Sequence, residues 1–225
     1  MKKFSLLLLV SLLFFCGCAN LKIYDKVINN LAEVRYNLYS GKTENINVTL
    51  MSGKREKNYV VNGYCTDSVD FGVITFKVKS DITMPKEINF VLTVGTTRYD
   101  GILEQNPFDG SYVYDLRNII DSEEVITAKI IAGEFVESVE LTSVTNNFNV
   151  NWDNALKIAC KELNDSLQTF IENDEFKGEC YVKLICDEDI LGTYYWYVNF
   201  VSRFGKSYSV IIDPITNEIM AKKNI

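Results

Sequence analysis

Histidine is missing from all 225 residues, and proline occurs only three times. Without an imidazole there is no Ser-His-Asp or Cys-His nucleophile system, no histidine metal ligand, and no general acid/base of the commonest kind near neutral pH. No serine has a lysine three residues later, which disfavours a Ser-Lys mechanism. There is no C-x-x-C pair for redox work and no G-x-G-x-x-G loop to cradle a phosphate. Basic residues are the minority, 23 against 30 acidic, for a formal charge of −7. That leaves no electrostatic footprint for nucleic acid. What remains is a chain of 47% hydrophobic residues, enough for one medium domain or two small ones, each with its own core.

The strongest positive signal lies at the start. Lys2 and Lys3 precede an apolar run over residues 4–15, closed by Phe15-Cys16-Gly17-Cys18. The run is well short of the roughly 20 residues a membrane-spanning helix needs, so residues 1–17 read as an export signal and are set aside from the fold. The segment resembles the lipobox of bacterial lipoproteins, in which a cysteine is lipidated and becomes the mature N-terminus. The resemblance places the lipid on Cys18, directly after the small Gly17, rather than on Cys16 after bulky Phe15. The alternative is an ordinary cleaved signal that leaves Cys18 free. Loss of Lys2 and Lys3 takes the basic count from 23 to 21 against 30 acidic residues, a net charge of −9. An anionic membrane repels such a body, so acyl chains must supply the attachment.

Residues 18–44 read as a tether and an amphipathic helix over 24–39, from the helical spacing of Val27, Leu31, Val34 and Leu38. Residues 45–146 are rich in valine, isoleucine, threonine and aromatics in short runs. They predict strands at 47–52, 57–61, 69–79, 87–94, 98–104, 111–115, 125–132 and 135–144. Strands at this spacing, with turns such as Asn106-Pro107-Phe108-Asp109-Gly110, suggest an antiparallel β-sandwich of immunoglobulin-like architecture. Residues 147–225 form the second part. Trp152, Leu156, Ala159, Leu163, Leu167 and Phe170 lie on one helical stripe, and strands follow at 179–186, 194–202, 206–212 and 218–222. The expected class is therefore α+β: an N-terminal helix, a β-sandwich, then a helix with a β-meander.

Within that last part, Trp196-Tyr197-Val198-Asn199-Phe200, Gly205, Tyr208-Ser209-Val210-Ile211-Ile212 and Asp213-Pro214-Ile215-Thr216-Asn217-Glu218-Ile219 resemble the PepSY-type domain of bacterial secreted and membrane proteins. Asn217 stands where that family carries glycine, and asparagine tolerates the left-handed backbone such a turn requires. The resemblance covers about the last third of the chain. It implies a small accessory domain linked to peptidase regulation or envelope roles, without catalytic residues.

Four cysteines besides Cys16 and Cys18 remain. Cys160 falls at the edge of the helical stripe, while Cys180 and Cys186 share a strand face with Val182 and Leu184. Cys160 can bridge to Cys180 or Cys186 after export, or all can stay reduced. With Cys65 they lack zinc spacing, so no metal is expected. Asp187-Glu188-Asp189-Ile190-Leu191-Gly192 begins like a calcium loop but has leucine at the fifth position, and reads as a solvated hairpin. Tyr195 and Tyr197 alternate with Trp196, Val198 and Phe200, so they either pack on a neighbouring domain or form a binding surface for peptide or glycan. The expected function is a lipid-anchored module on the outer face of the bacterial cytoplasmic membrane. It would bind or regulate an envelope protein, peptide or glycan without catalysis, cofactor or nucleic acid. The competing expectation is an envelope glycan hydrolase running on paired carboxylates, which needs no histidine.

Overall fold

The computed structural model describes residues 18–58, 60–187 and 193–224. The signal segment 1–17 and residues 188–192 of the calcium-like loop lie outside the described residues. The chain forms two compact units. A central unit holds Arg35–Arg55 and Val69–Phe148, and a terminal unit holds residues up to Val34, Glu56–Ser68 and Asn149–Ile225. The central unit thus begins ten residues before the sequence boundary at 45, and the segment 56–68 belongs to the terminal unit rather than to the sandwich.

Helix α1 (Cys18–Val27) and a short 3-10 turn (Ile28–Asn30) lead into strand β1 (Leu31–Lys42). The helix expected over 24–39 therefore stops at Val27. Ala32, Val34, Tyr36 and Leu38 also satisfy a period of two, and Ala32, Val34 and Leu38 are buried. Pairing partners decided between the two periods: Leu31–Val34 run parallel to Cys180–Val182 with a bulge after Leu31, and Tyr39 and Ser40 pair antiparallel with Ser143 and Thr142.

In the central unit the strands are β2 (Ile46–Glu56), β3 (Ser68–Val78), β4 (Asn89–Val94), β5 (Thr97–Ile102), β6 (Glu104–Gln105), β7 (Tyr112–Asp115), β8 (Ile126–Ala132) and β9 (Phe135–Ser143). One layer runs β1-β2-β3-β7-β6 and the other β5-β4-β8-β9. Alternation sends Val48, Leu50, Ile74 and Phe76 of the first layer inward, together with Phe90, Leu92, Ala128 and Ile130 of the second, and all eight are fully buried in one core. Phe90 stacks against Phe76 and Tyr114, with ring centroids 6.4 and 4.7 Å away. The irregular stretch before β8 is pinned by Ser52, whose hydroxyl donates to the Ile120 carbonyl at 2.8 Å and accepts from its amide at 3.1 Å. Of the strand expected over 57–61, the described residues 57, 58, 60 and 61 are loop.

In the terminal unit, Asn151 caps helix α2 (Trp152–Glu162) by accepting from the Asn154 amide at 2.9 Å. The helix breaks at Leu163 and resumes as the short α3 (Asn164–Gln168). Leu156, Ala159, Leu163, Leu167 and Phe170 of the expected stripe are all buried. A small hairpin, β10 (Ile171–Glu172) with β11 (Glu175–Phe176), precedes a meander of β12 (Gly178–Asp187), β13 (Thr193–Ser202), β14 (Ser207–Ile212) and β15 (Ile219–Asn224). Its four strands pair antiparallel in chain order. Trp196, Val198 and Phe200 are buried, and the Trp196 indole donates to the Val150 carbonyl at 2.7 Å. Asn217 adopts φ +67°, the left-handed backbone expected of the turn before β15. The protein is mostly β with few helices, so the α+β class holds at that level.

Candidate functional site

Among its described residues the terminal unit buries three carboxylates, Glu33, Glu56 and Glu179, and each has a partner. Glu33 at the start of β1 lies 2.8 Å from the Lys183 ammonium of β12, which also sits 4.9 Å over the Tyr181 ring. Glu179 is fully buried, with one oxygen accepting the amides of Asn62 at 2.8 Å and Tyr64 at 2.9 Å, and the other accepting the Tyr181 hydroxyl. Glu56, at the end of β2, accepts the Thr66 amide. The loop between β2 and β3 is therefore held by carboxylates that take its alternate backbone amides at 62, 64 and 66. It closes on itself where the Lys57 amide donates to the Asp67 carbonyl at 3.0 Å.

Gly63 is required by this geometry. Its φ is +77°, and a Cβ there would lie 2.5 Å from the backbone of Arg203 at the β13–β14 turn. The same approach sets the Arg203 guanidinium 4.2 Å above the Tyr64 ring. The loop thus leans on the hairpin tip, with Val60, Val61, Tyr64 and Phe204 exposed.

Three thiols of this unit are poor nucleophiles. Burial pushes the Cys160 thiol up to about 12 and Cys180 well above its ordinary value. Cys65 is also raised to about 12, first by burial and then by the neighbouring Glu56 carboxylate. A thiol so raised holds almost no thiolate at neutral pH. Cys65, Cys160 and Cys180 are free thiols. Cys180 is buried with Val182 and Leu184 as alternation requires, but Cys186 is exposed. Six residues of strand, about 20 Å, separate the two. Of the two pairings considered from sequence, Cys160 lies near Cys180, which feels its charge.

Tyr195 and Tyr197 occupy the strand face opposite Trp196, in register with Ile185 and Lys183, and both are half-buried rather than fully exposed. Cys18 opens α1, whose Ile23 and Val27 are buried. That helix is tied to α2 by the Tyr24 hydroxyl, which donates to Asp153 while Lys157 contacts the same carboxylate at 2.6 Å. Burial would raise the Asp153 carboxyl, but these two donors hold it below its ordinary value.

The sequence reading did not single out Glu33, Glu56, Glu179 or the loop that they clasp. Among 30 acidic residues only their partners mark them, and those partners are as far as 150 positions away. One signal was present, for Glu179 alone: it opens the strand predicted over 179–186. Among the described residues no group of three or more cysteine, aspartate or glutamate side chains is placed to hold a metal ion. Nor is any described helix long and apolar enough to cross a membrane. Comparison of the chain with protein-family models, curated proteins and solved structures finds no match.

Proposed function

We propose that the protein is a lipid-anchored module on the outer face of a bacterial cytoplasmic membrane, with Cys18 as the lipidated mature N-terminus, and that it acts by binding or regulating an envelope component. The observation that carries the reading is the charged start, short apolar run and Gly17-Cys18 junction, placed directly ahead of a packed helix. A lipid on the first residue of α1 would hold the body against the bilayer, since only about 14 Å of helix separates Cys18 from buried Val27. A binding role rather than catalysis is supported by the use of Glu56 and Glu179, whose oxygens receive loop amides. The two-layered central unit supports an immunoglobulin-like reading there. A helix followed by a four-strand meander with a left-handed Asn217 turn supports the PepSY-like reading of the terminal unit.

Cys18→Ala tests the anchor. The expected result in cells is loss of a metabolically incorporated fatty-acid label and a shift of the protein from the membrane to the soluble fraction. Retention in the membrane without the label would overturn lipidation at Cys18.

A further inference from the structure

The terminal unit presents an apolar surface that its own fold does not use. Phe204, at the tip of the β13–β14 hairpin, is 83% exposed, and Val60, Val61 and Tyr64 of the adjoining loop are each more than half exposed. The two segments form one surface, because Gly63 abuts Arg203 and the Arg203 guanidinium lies over Tyr64. This surface is built rather than incidental: buried Glu179 and Glu56 fix the loop backbone beneath it, so its apolar side chains are held outward. Lys57, Arg203 and Lys206 are exposed at its rim. Of the carboxylates beside it, Glu175 is taken by Lys177, Glu56 and Glu179 face inward onto backbone amides, and Asp67 is the one exposed acid of the loop. In a chain of net −7 this is a locally cationic, aromatic-tipped surface.

Apolar tips ringed by lysine and arginine match the interface of an anionic bilayer, where aromatic rings sit at headgroup depth and cations meet the lipid phosphates. The chain ahead of α1 points to the same occupant, since the apolar run of residues 4–15 precedes the first element of this unit and Cys18 opens it. One acyl signal gives only marginal attachment, and a second contact makes it stable. We propose that Val60, Val61, Tyr64 and Phe204, with Lys57, Arg203 and Lys206, form a membrane-contact surface that seats the terminal unit on an anionic lipid surface. The proposal rests on the lipoprotein reading above and adds an orientation to it: the β13–β14 tip faces the bilayer.

The test uses the full lipidated chain in protein-free vesicles whose acyl chains carry bromine, a contact quencher of indole fluorescence. Phe204→Trp adds a reporter at the tip, and Ile215→Trp adds one on the β14–β15 turn of the same unit, at the opposite end of β14 from the tip. Emission is taken as the difference from the parent, which contains Trp152 and Trp196. With about 30% phosphatidylglycerol, the emission added by Phe204→Trp should fall about twofold, and that added by Ile215→Trp should not change. Arg203→Glu with Lys206→Glu should abolish the quenching while the acyl anchor keeps the protein on the vesicles. Absence of quenching at position 204, as expected if the surface meets a protein partner instead, or equal quenching at 215, overturns the proposal. Failure of the anchor reading is scored separately, by the Cys18→Ala fractionation.

Discussion

Glu179 illustrates how one buried side chain commits a whole loop. Its two oxygens accept three donors, and replacing it by leucine would take the acceptor from the Asn62 amide and leave the Tyr64 amide only Asn62 Oδ1, 2.9 Å away. At about 1–3 kcal/mol for a buried group left unsatisfied, Glu179→Leu should cost about 1–3 kcal/mol, read as a lowered urea midpoint. Glu179→Gln keeps an amide oxygen for the loop and should cost clearly less. Equal losses for the two variants would show that packing, not hydrogen bonding, is at stake. Thiol reactivity follows the same local logic. In the folded protein at pH 8, an alkylating reagent should modify Cys186 first and Cys65 slowly, because Cys65 is half-buried beside Glu56 and raised to about 12. Cys160 and Cys180 should stay unmodified until urea is added, and intact-mass analysis over time reads the order.

Elements of the central unit owe their stability to alternation that fills one core. Phe90 lies at the centre of it, fully buried on β4 between Phe76 and Tyr114, whereas Phe108 sits on a turn and is 95% exposed. Phe90→Ala should therefore cost about 3–5 kcal/mol, and Phe108→Ala less than about 0.5 kcal/mol, both measured by denaturant unfolding. Most strands here were legible in the sequence to within a residue or two, since Ile126, Ala128 and Ile130 alternate with Thr127 and Lys129 and turn residues bracket the runs. β1 was not legible, because Val27, Leu31, Val34 and Leu38 satisfy a helical period while Ala32, Val34, Tyr36 and Leu38 satisfy a strand period. Nothing local separates them; the pairing with β9 and β12 does. The stretch 57–61 failed in the opposite direction. Its valines and tyrosine favour a strand, yet the described residues 60 and 61 run as loop into Gly63 and the amides that the distant Glu179 takes.

At the scale of the whole molecule, several acids in the terminal unit keep their protons longer when folded than when unfolded. Burial raises Cys160 to about 12 and Cys180 well above its ordinary value, and Cys65 and Tyr24 also reach about 12, Tyr24 through burial and its bond to Asp153. Above about pH 9 the unfolded thiols ionise while the folded ones do not, so the unfolded state binds fewer protons and stability falls as pH rises. The midpoint of thermal unfolding should therefore drop between pH 8 and pH 10.5. Replacing Cys160 and Cys180 together by alanine should flatten that dependence, whatever it does to stability at neutral pH. An unchanged slope would assign the alkaline loss to other groups.

By itself the sequence determined the absence of histidine chemistry, most of the strand boundaries and the α2 stripe. Each of these is written in local residues: a residue count, a period of 2 or 3.6. Only the tertiary structure decided that residues 31–42 are a strand, that 56–68 belong with the C-terminal meander, and that Glu56 and Glu179 clasp the loop beneath Tyr64. The strand and the Glu179 clasp depend on partners more than a hundred residues away, where a carboxylate meets a backbone amide or one strand finds another, and no local period encodes such a meeting.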